Sequence, residues 1–73
     1  MADIQIKSEV TGAVWKIEKQ IGDAISSGDT IMIIESMKME IPVICEEPGT
    51  LSEIRVKEGD AINEGAVVAI VKG

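Results

Sequence analysis

The 73-residue sequence has no histidine, no phenylalanine and no tyrosine, and it carries a single cysteine and a single tryptophan. Each shortage closes off a kind of chemistry. Without histidine there is no imidazole base and no common set of metal ligands. A lone Cys45 can form neither an internal disulfide nor a Cys-x-x-Cys pair, so an oxidising compartment is not implied. Its neighbours Glu46 and Glu47 would not activate a thiolate, and Cys45 reads as structural. No Gly-x-Gly-x-x-Gly is present, so dinucleotide binding lacks its fingerprint. An active site would have to be made from carboxylates and lysines alone, and the sequence reads as a non-catalytic module. Positive charge is also short: 7 basic against 13 acidic residues give a net charge of −6, with no basic cluster. That balance argues against nucleic acid or an anionic membrane as partner. The apolar runs are only a few residues long, and neither a signal peptide nor a spanning segment is seen, so the expected location is cytoplasmic.

What is abundant is β-branched: 13 isoleucines and 7 valines. Such residues favour strands, and in the absence of Phe and Tyr the core must be aliphatic. A chain of this size is expected to form one domain, residues 1–73, burying roughly 60% of the surface its unfolded form exposes.

Alternation and turn signals predict eight strands. Ile4 to Lys7 alternates apolar and polar. Thr11-Gly12, read as a turn or bulge, precedes Ala13 to Lys19; Gly22-Asp23 precedes Ala24 to Ser26; Gly28-Asp29 precedes Thr30 to Glu35. Met39 to Ile44 follows, with Pro42 arguing for an edge or a bulge. The pattern then restarts, predicting Thr50 to Val56, Ala61 to Asn63 and Ala66 to Lys72. At a constant spacing of 37 residues, Gly12, Gly22, Asp23, Ala24, Ile25 and Gly28 recur as Gly49, Gly59, Asp60, Ala61, Ile62 and Gly65. Recurring glycines imply recurring turns with φ > 0, and the sequence is an internal duplication. Two halves that cannot cover their own faces predict an all-β fold: a flattened barrel or sandwich of two four-stranded antiparallel sheets with a pseudo-two-fold axis. Val14 and Leu51 fall out of alternation in their strands, which predicts bulges. Asp23 and Asp60 follow turn glycines, where Asp bonds its own backbone, so they are not read as metal ligands. Trp15 aligns with Ser52, so the symmetry does not require it; packing is favoured over docking as its role.

Between the halves lies Glu35-Ser36-Met37-Lys38-Met39-Glu40. Strand-forming runs on both sides make it the junction of a hairpin, with Lys38 at or beside the tip. If the halves pack about a two-fold axis, the tip lies at the end of the domain opposite the termini. An arbitrary lysine at a hairpin tip is a solvated charge that blunts an edge, and methionines beside strands are core filler. The position, midway in a duplicated chain, favours a functional reading.

Met37-Lys38-Met39 resembles the biotin-attachment motif of the biotin carboxyl carrier family, usually Ala-Met-Lys-Met, with Ser36 replacing the alanine. The repeated Gly-Asp-Ala-Ile segments and Pro48-Gly49-Thr50-Leu51 extend the resemblance over nearly the whole chain. It implies the biotinyl/lipoyl-domain fold and a biotin amide-linked to Lys38, with Glu35, Ser36, Met37 and Met39 flanking the cofactor. The implied partners are a separate biotin protein ligase and the biotin carboxylase and carboxyltransferase components of a carboxylase. Met37 and Met39 favour biotin over lipoyl, since lipoyl domains typically place an acidic residue before the lysine and a small one after it. Equal spacings from Gly12 to Gly22 and from Gly49 to Gly59 leave no room for the protruding loop of some bacterial carriers. Taken as it stands, the chain is expected to act as a free-standing carrier, a monomer when isolated. A lipoyl-type carrier and an unmodified β-sandwich interaction module are the competing readings. A lysine amine is almost wholly protonated at pH 7 and nothing nearby is a general base, so the domain is not expected to modify itself. Flexible, polarizable methionines suit recognition by a ligase groove.

Overall fold

A computed structural model describes residues 3–73. Eight strands follow one another in the order β1 (Asp3–Lys7), β2 (Gly12–Ile17), β3 (Ala24–Ile25), β4 (Asp29–Ser36), β5 (Met39–Cys45), β6 (Gly49–Ile54), β7 (Ala61–Ile62) and β8 (Val67–Lys72). They form two four-stranded sheets, β1-β8-β6-β3 and β5-β4-β2-β7, with every pairing antiparallel. All eight predicted strands are present. A shift of 37 residues, forward from the first half and back from the second, converts one sheet into the other.

The correspondence reaches individual pairs. Ile4↔Val71 matches Ile41↔Ile34, and Thr50↔Lys72 matches Ala13↔Glu35. The bulges expected from the broken alternation fall between Val14 and Lys16 and between Leu51 and Glu53, as counterparts. Gly22 N–H donates to the Leu51 carbonyl, as Gly59 N–H donates to that of Val14, both at 2.7 Å. Asp23 and Asp60 accept from the backbone N–H groups of Gln20 and Lys57, at 2.8 and 2.9 Å, as turn residues should.

The duplication also builds the core. Its buried residues include the counterpart pairs Ile6 and Val43, Val14 and Leu51, Ile25 and Ile62, Ile31 and Val68, Met32 and Ala69, and Ile34 and Val71. Met32 and the smaller Ala69 show that the counterparts match in burial and not in size. Buried Ser8 and Cys45 are also counterparts; each donates from its side chain to the carbonyl two residues on, Val10 at 2.6 Å and Glu47 at 3.0 Å.

Two expectations need correction. Gly12 and Gly49 are not turn residues and lack a positive φ. They are glycines because a Cβ there would run into the carbonyl oxygen of Glu35 or of Lys72 on the neighbouring strand. The second and sixth strands also stop two residues short of the predicted ends. Glu18 and Lys19 both donate to the carbonyl of Ile31, at 2.9 and 3.2 Å, and Arg55 to that of Val68, at 2.9 Å, so the chain leaves the ladder there. Pro42 lies on β5, an edge strand, where no ladder is interrupted.

Candidate attachment site

The turn joining β4 to β5 is the shortest a hairpin allows. Ser36 pairs with Met39, leaving Met37 and Lys38 as a two-residue loop. Both have positive φ, 50° and 66°, and they are the only non-glycine residues of that kind among those described. This is the geometry of a type I′ turn, whose twist matches the flanking strands and whose preferred sequence is Asn-Gly. Methionine and lysine occupy it against preference. Such residues in the left-handed region cost of the order of 1–3 kcal/mol each and concentrate at functional sites.

The predicted site residues divide into two groups. Met37, Lys38 and Met39 stand in solvent together, Met37 92% and Met39 63% exposed. Lys38 makes no ion pair among the described residues. Glu35 and Glu40 are also exposed and lie directly opposite each other across β4 and β5, one step behind the Ser36↔Met39 pair. Ser36 turns away from the tip: its Oγ donates to the Thr11 carbonyl at 2.7 Å. That bond braces the turn from below.

Two residues that frame the tip, Thr11 and Gly12, are not among the predicted ones. Thr11 accepts from Ser36 through its carbonyl and, through Oγ1, from the Glu64 N–H at 3.0 Å. The segment 8–11 is thereby tied to β4 and to the loop before β8. Gly12 lets β2 pass against the Glu35 carbonyl at the root of the turn. The recurrence of Gly12 as Gly49 is the signal in the sequence, one it shares with the turn glycines.

Topology sets the reach of the lysine. β5 carries the chain seven residues away from the tip, roughly 20 Å at strand spacing. A three-residue link then leads to β6, where Thr50 pairs with Lys72, itself paired with Asp3. Asp3 and Lys72 thus lie at the end of the domain opposite Lys38. No group of three metal-ligating side chains occurs among the described residues. An exposed primary amine on a fixed turn, with no base beside it, can accept an acyl group delivered by another protein, and an amide-linked prosthetic group fits it.

Fold and turn define a class: small pseudo-symmetric β-sandwiches that hold one lysine out on a two-residue turn. A family model described as "Biotin-requiring enzyme" matches residues 3–71, and the chain belongs to this biotin/lipoyl attachment family. It is 41% identical over 63 residues to a "Biotin/lipoyl attachment protein" of Bacillus subtilis (strain 168), covering 86% of each chain. It is 36% identical over 66 residues to a "Biotinylated protein TB7.3 homolog" of Mycobacterium leprae (strain TN), covering 90% of this chain and 93% of the relative. Among solved structures, Kluyveromyces lactis urea carboxylase superposes with a TM-score of 0.94 at 35% identity, over 99% of this chain but only 6% of that far longer one.

Proposed function

We propose that the protein is a biotin carboxyl carrier whose Lys38 is biotinylated by a separate biotin protein ligase. The observation that carries this reading is the exposed Met37-Lys38-Met39 segment, with Met37 and Lys38 held at positive φ. In the attachment step Lys38 Nζ attacks the carbonyl carbon of an activated biotinyl group. The N–C bond forms, the bond to the leaving group breaks, and the displaced proton goes to a base on the ligase. Met37 and Met39 offer that ligase an adaptable apolar grip on either side of the amine. The fixed turn lowers the ordering cost of each encounter.

Bound biotin supplies the nitrogen that takes up and gives away a carboxyl group. The chain supplies position: a rigid sandwich, a braced turn, and an acidic surface that speeds encounter with basic partner rims at low salt. Its partners on this reading are the biotin carboxylase and carboxyltransferase components of a carboxylase. The domain itself catalyses nothing.

The test is ligation with intact-mass readout. Incubation with purified biotin protein ligase, ATP and biotin should add one biotinyl group, at Lys38, and Lys38→Arg should stay unlabelled while keeping the same melting curve. A parallel incubation with lipoate ligase and lipoate should leave the mass unchanged. Lipoylation without biotinylation would make this a lipoyl carrier, and label on Lys38→Arg would move the site.

A further inference from the structure

Sulfur is scarce in this chain and unevenly placed. The described residues that carry it are Met32, Met37, Met39 and Cys45. Met32 and Cys45 belong to the core, at 0% and 1% exposure. The Cys45 thiol is also engaged, donating to the Glu47 carbonyl at 3.0 Å. Met37 and Met39 are the reverse, 92% and 63% exposed. Among the described residues, the sulfur-bearing side chains open to solvent are therefore the two neighbours of Lys38.

Leucine at these two positions would offer a ligase groove a similar apolar contact, since Leu and Met are close in volume. What methionine adds is a flexible, polarizable thioether. An exposed thioether is open to oxidation to the sulfoxide, which turns an apolar side chain polar and is enzymatically reversible. The same change at Met32 would set an unpartnered polar group in the core. A buried sulfur is met by oxidant only when the structure opens around it, so the fold protects Met32 and Cys45. Met37 and Met39 take no part in the core. Their oxidation leaves the sandwich intact and alters only the surface beside the amine.

We propose, resting on the carrier reading above, that Met37 and Met39 form a reversible oxidation site that closes Lys38 to its ligase. The oxidant is a peroxide. The thioether sulfur attacks one peroxide oxygen; the S–O bond forms as the O–O bond breaks, and sulfur gives up two electrons. The departing hydroxide takes the proton of the transferred oxygen and leaves as water. In the reverse direction a methionine sulfoxide reductase removes the oxygen as water, and two thiols supply the electrons and become a disulfide. With both sulfoxides in place, polar S=O groups flank the amine where the ligase requires an apolar grip. Lys38 itself is unaltered, so the loss falls on binding before it falls on the chemical step.

The experiment treats the unbiotinylated domain with hydrogen peroxide, removes the peroxide with catalase, and then adds purified biotin protein ligase, ATP and biotin. The order matters because biotin contains a thioether of its own. Peptide mapping should find sulfoxide at Met37 and Met39, with Met32 and the Cys45 thiol still reduced, and the melting curve should match that of the untreated chain. The ligase KM for the oxidised domain should rise by roughly tenfold, with kcat little changed, as expected for an apolar contact made polar. Methionine sulfoxide reductase with dithiothreitol should restore it. The second arm is the double variant Met37→Leu, Met39→Leu, whose ligation kinetics, whatever their level, should be the same before and after peroxide. Met1 is present in both chains, so its oxidation is common to the two arms. A doubly oxidised wild type ligated with the untreated KM overturns the oxidation proposal and leaves the carrier reading intact. So does an equal loss in the leucine variant, or sulfoxide forming at Met32 as fast as at Met37. Untreated wild type that takes no biotin would remove the carrier reading and this proposal with it.

Discussion

At Met37 and Lys38 local preference and function pull in opposite directions. A two-residue hairpin loop asks for Asn-Gly, and the chain instead holds Met and Lys at φ 50° and 66°. Sequences that specify one structure break a local rule mainly at functional positions, and an exposed amine cannot be had from glycine. Strain kept for function should be recoverable by giving function up. Lys38→Gly should therefore stabilise the domain by about 1 kcal/mol, since glycine occupies this region freely, and should abolish ligation. Lys38→Arg retains a side chain in the same conformation and should leave stability unchanged. Denaturant titration of both separates the outcomes; a Lys38→Gly protein no more stable than Lys38→Arg would mean that the turn is unstrained.

The strands themselves were legible from the amino-acid sequence because period-two alternation and paired turn signals agree in both halves. The bulges were legible for the same reason, as breaks in alternation at Val14 and Leu51. What could not be read was close approach between strands distant in sequence. Nothing local distinguishes Gly12, which admits a neighbouring carbonyl, from Gly22, which turns the chain at φ 97°. Nor could sequence tell that Ser36 would spend its hydroxyl on Thr11, or that Trp15 would stand on an outer face. The two kinds of glycine predict different behaviour. At Gly22 and Gly59, with φ 97° and 94°, a Cβ would meet nothing within 4 Å, so the cost of valine there is backbone strain alone. Gly22→Val and Gly59→Val should each destabilise by about 1–3 kcal/mol, alike to within about 1 kcal/mol by the same principle, and chemical denaturation reads both. At Gly12 and Gly49 the obstacle is a carbonyl, so even alanine must push strands apart. Gly12→Ala and Gly49→Ala should both lower the melting temperature, but only Gly12→Ala works at the root of the lysine turn. Under conditions where both variants stay folded, ligation should slow for Gly12→Ala and match wild type for Gly49→Ala. Equal ligation rates would show that the fit of β2 against Glu35 does not set the turn.

For the molecule as a whole, the pseudo-two-fold interleaves the halves. One sheet takes β1 and β3 from the first half and β6 and β8 from the second; the other takes β2 and β4 from the first and β5 and β7 from the second. A chain cut between Ser36 and Met37 would leave the first fragment only the β2–β4 pairing and the second only β6–β8. Two-stranded units are at best marginal in water, and each buried counterpart pair of the core would lose one member. Neither fragment should show strand structure by circular dichroism alone, and an equimolar mixture should regain it. A fragment that unfolds cooperatively by itself would mean that the halves are independent units, and the placement of Lys38 opposite the termini would lose its basis. The same cut separates fold from attachment. In the reassembled complex the sheets are restored but the Ser36↔Met39 turn is open, so Met37 and Lys38 are no longer held at positive φ. Strand structure should return on mixing while ligation at Lys38 remains far below that of the intact chain. Ligation at the intact rate would show that the ligase reads the Met-Lys-Met sequence and needs no turn to present it.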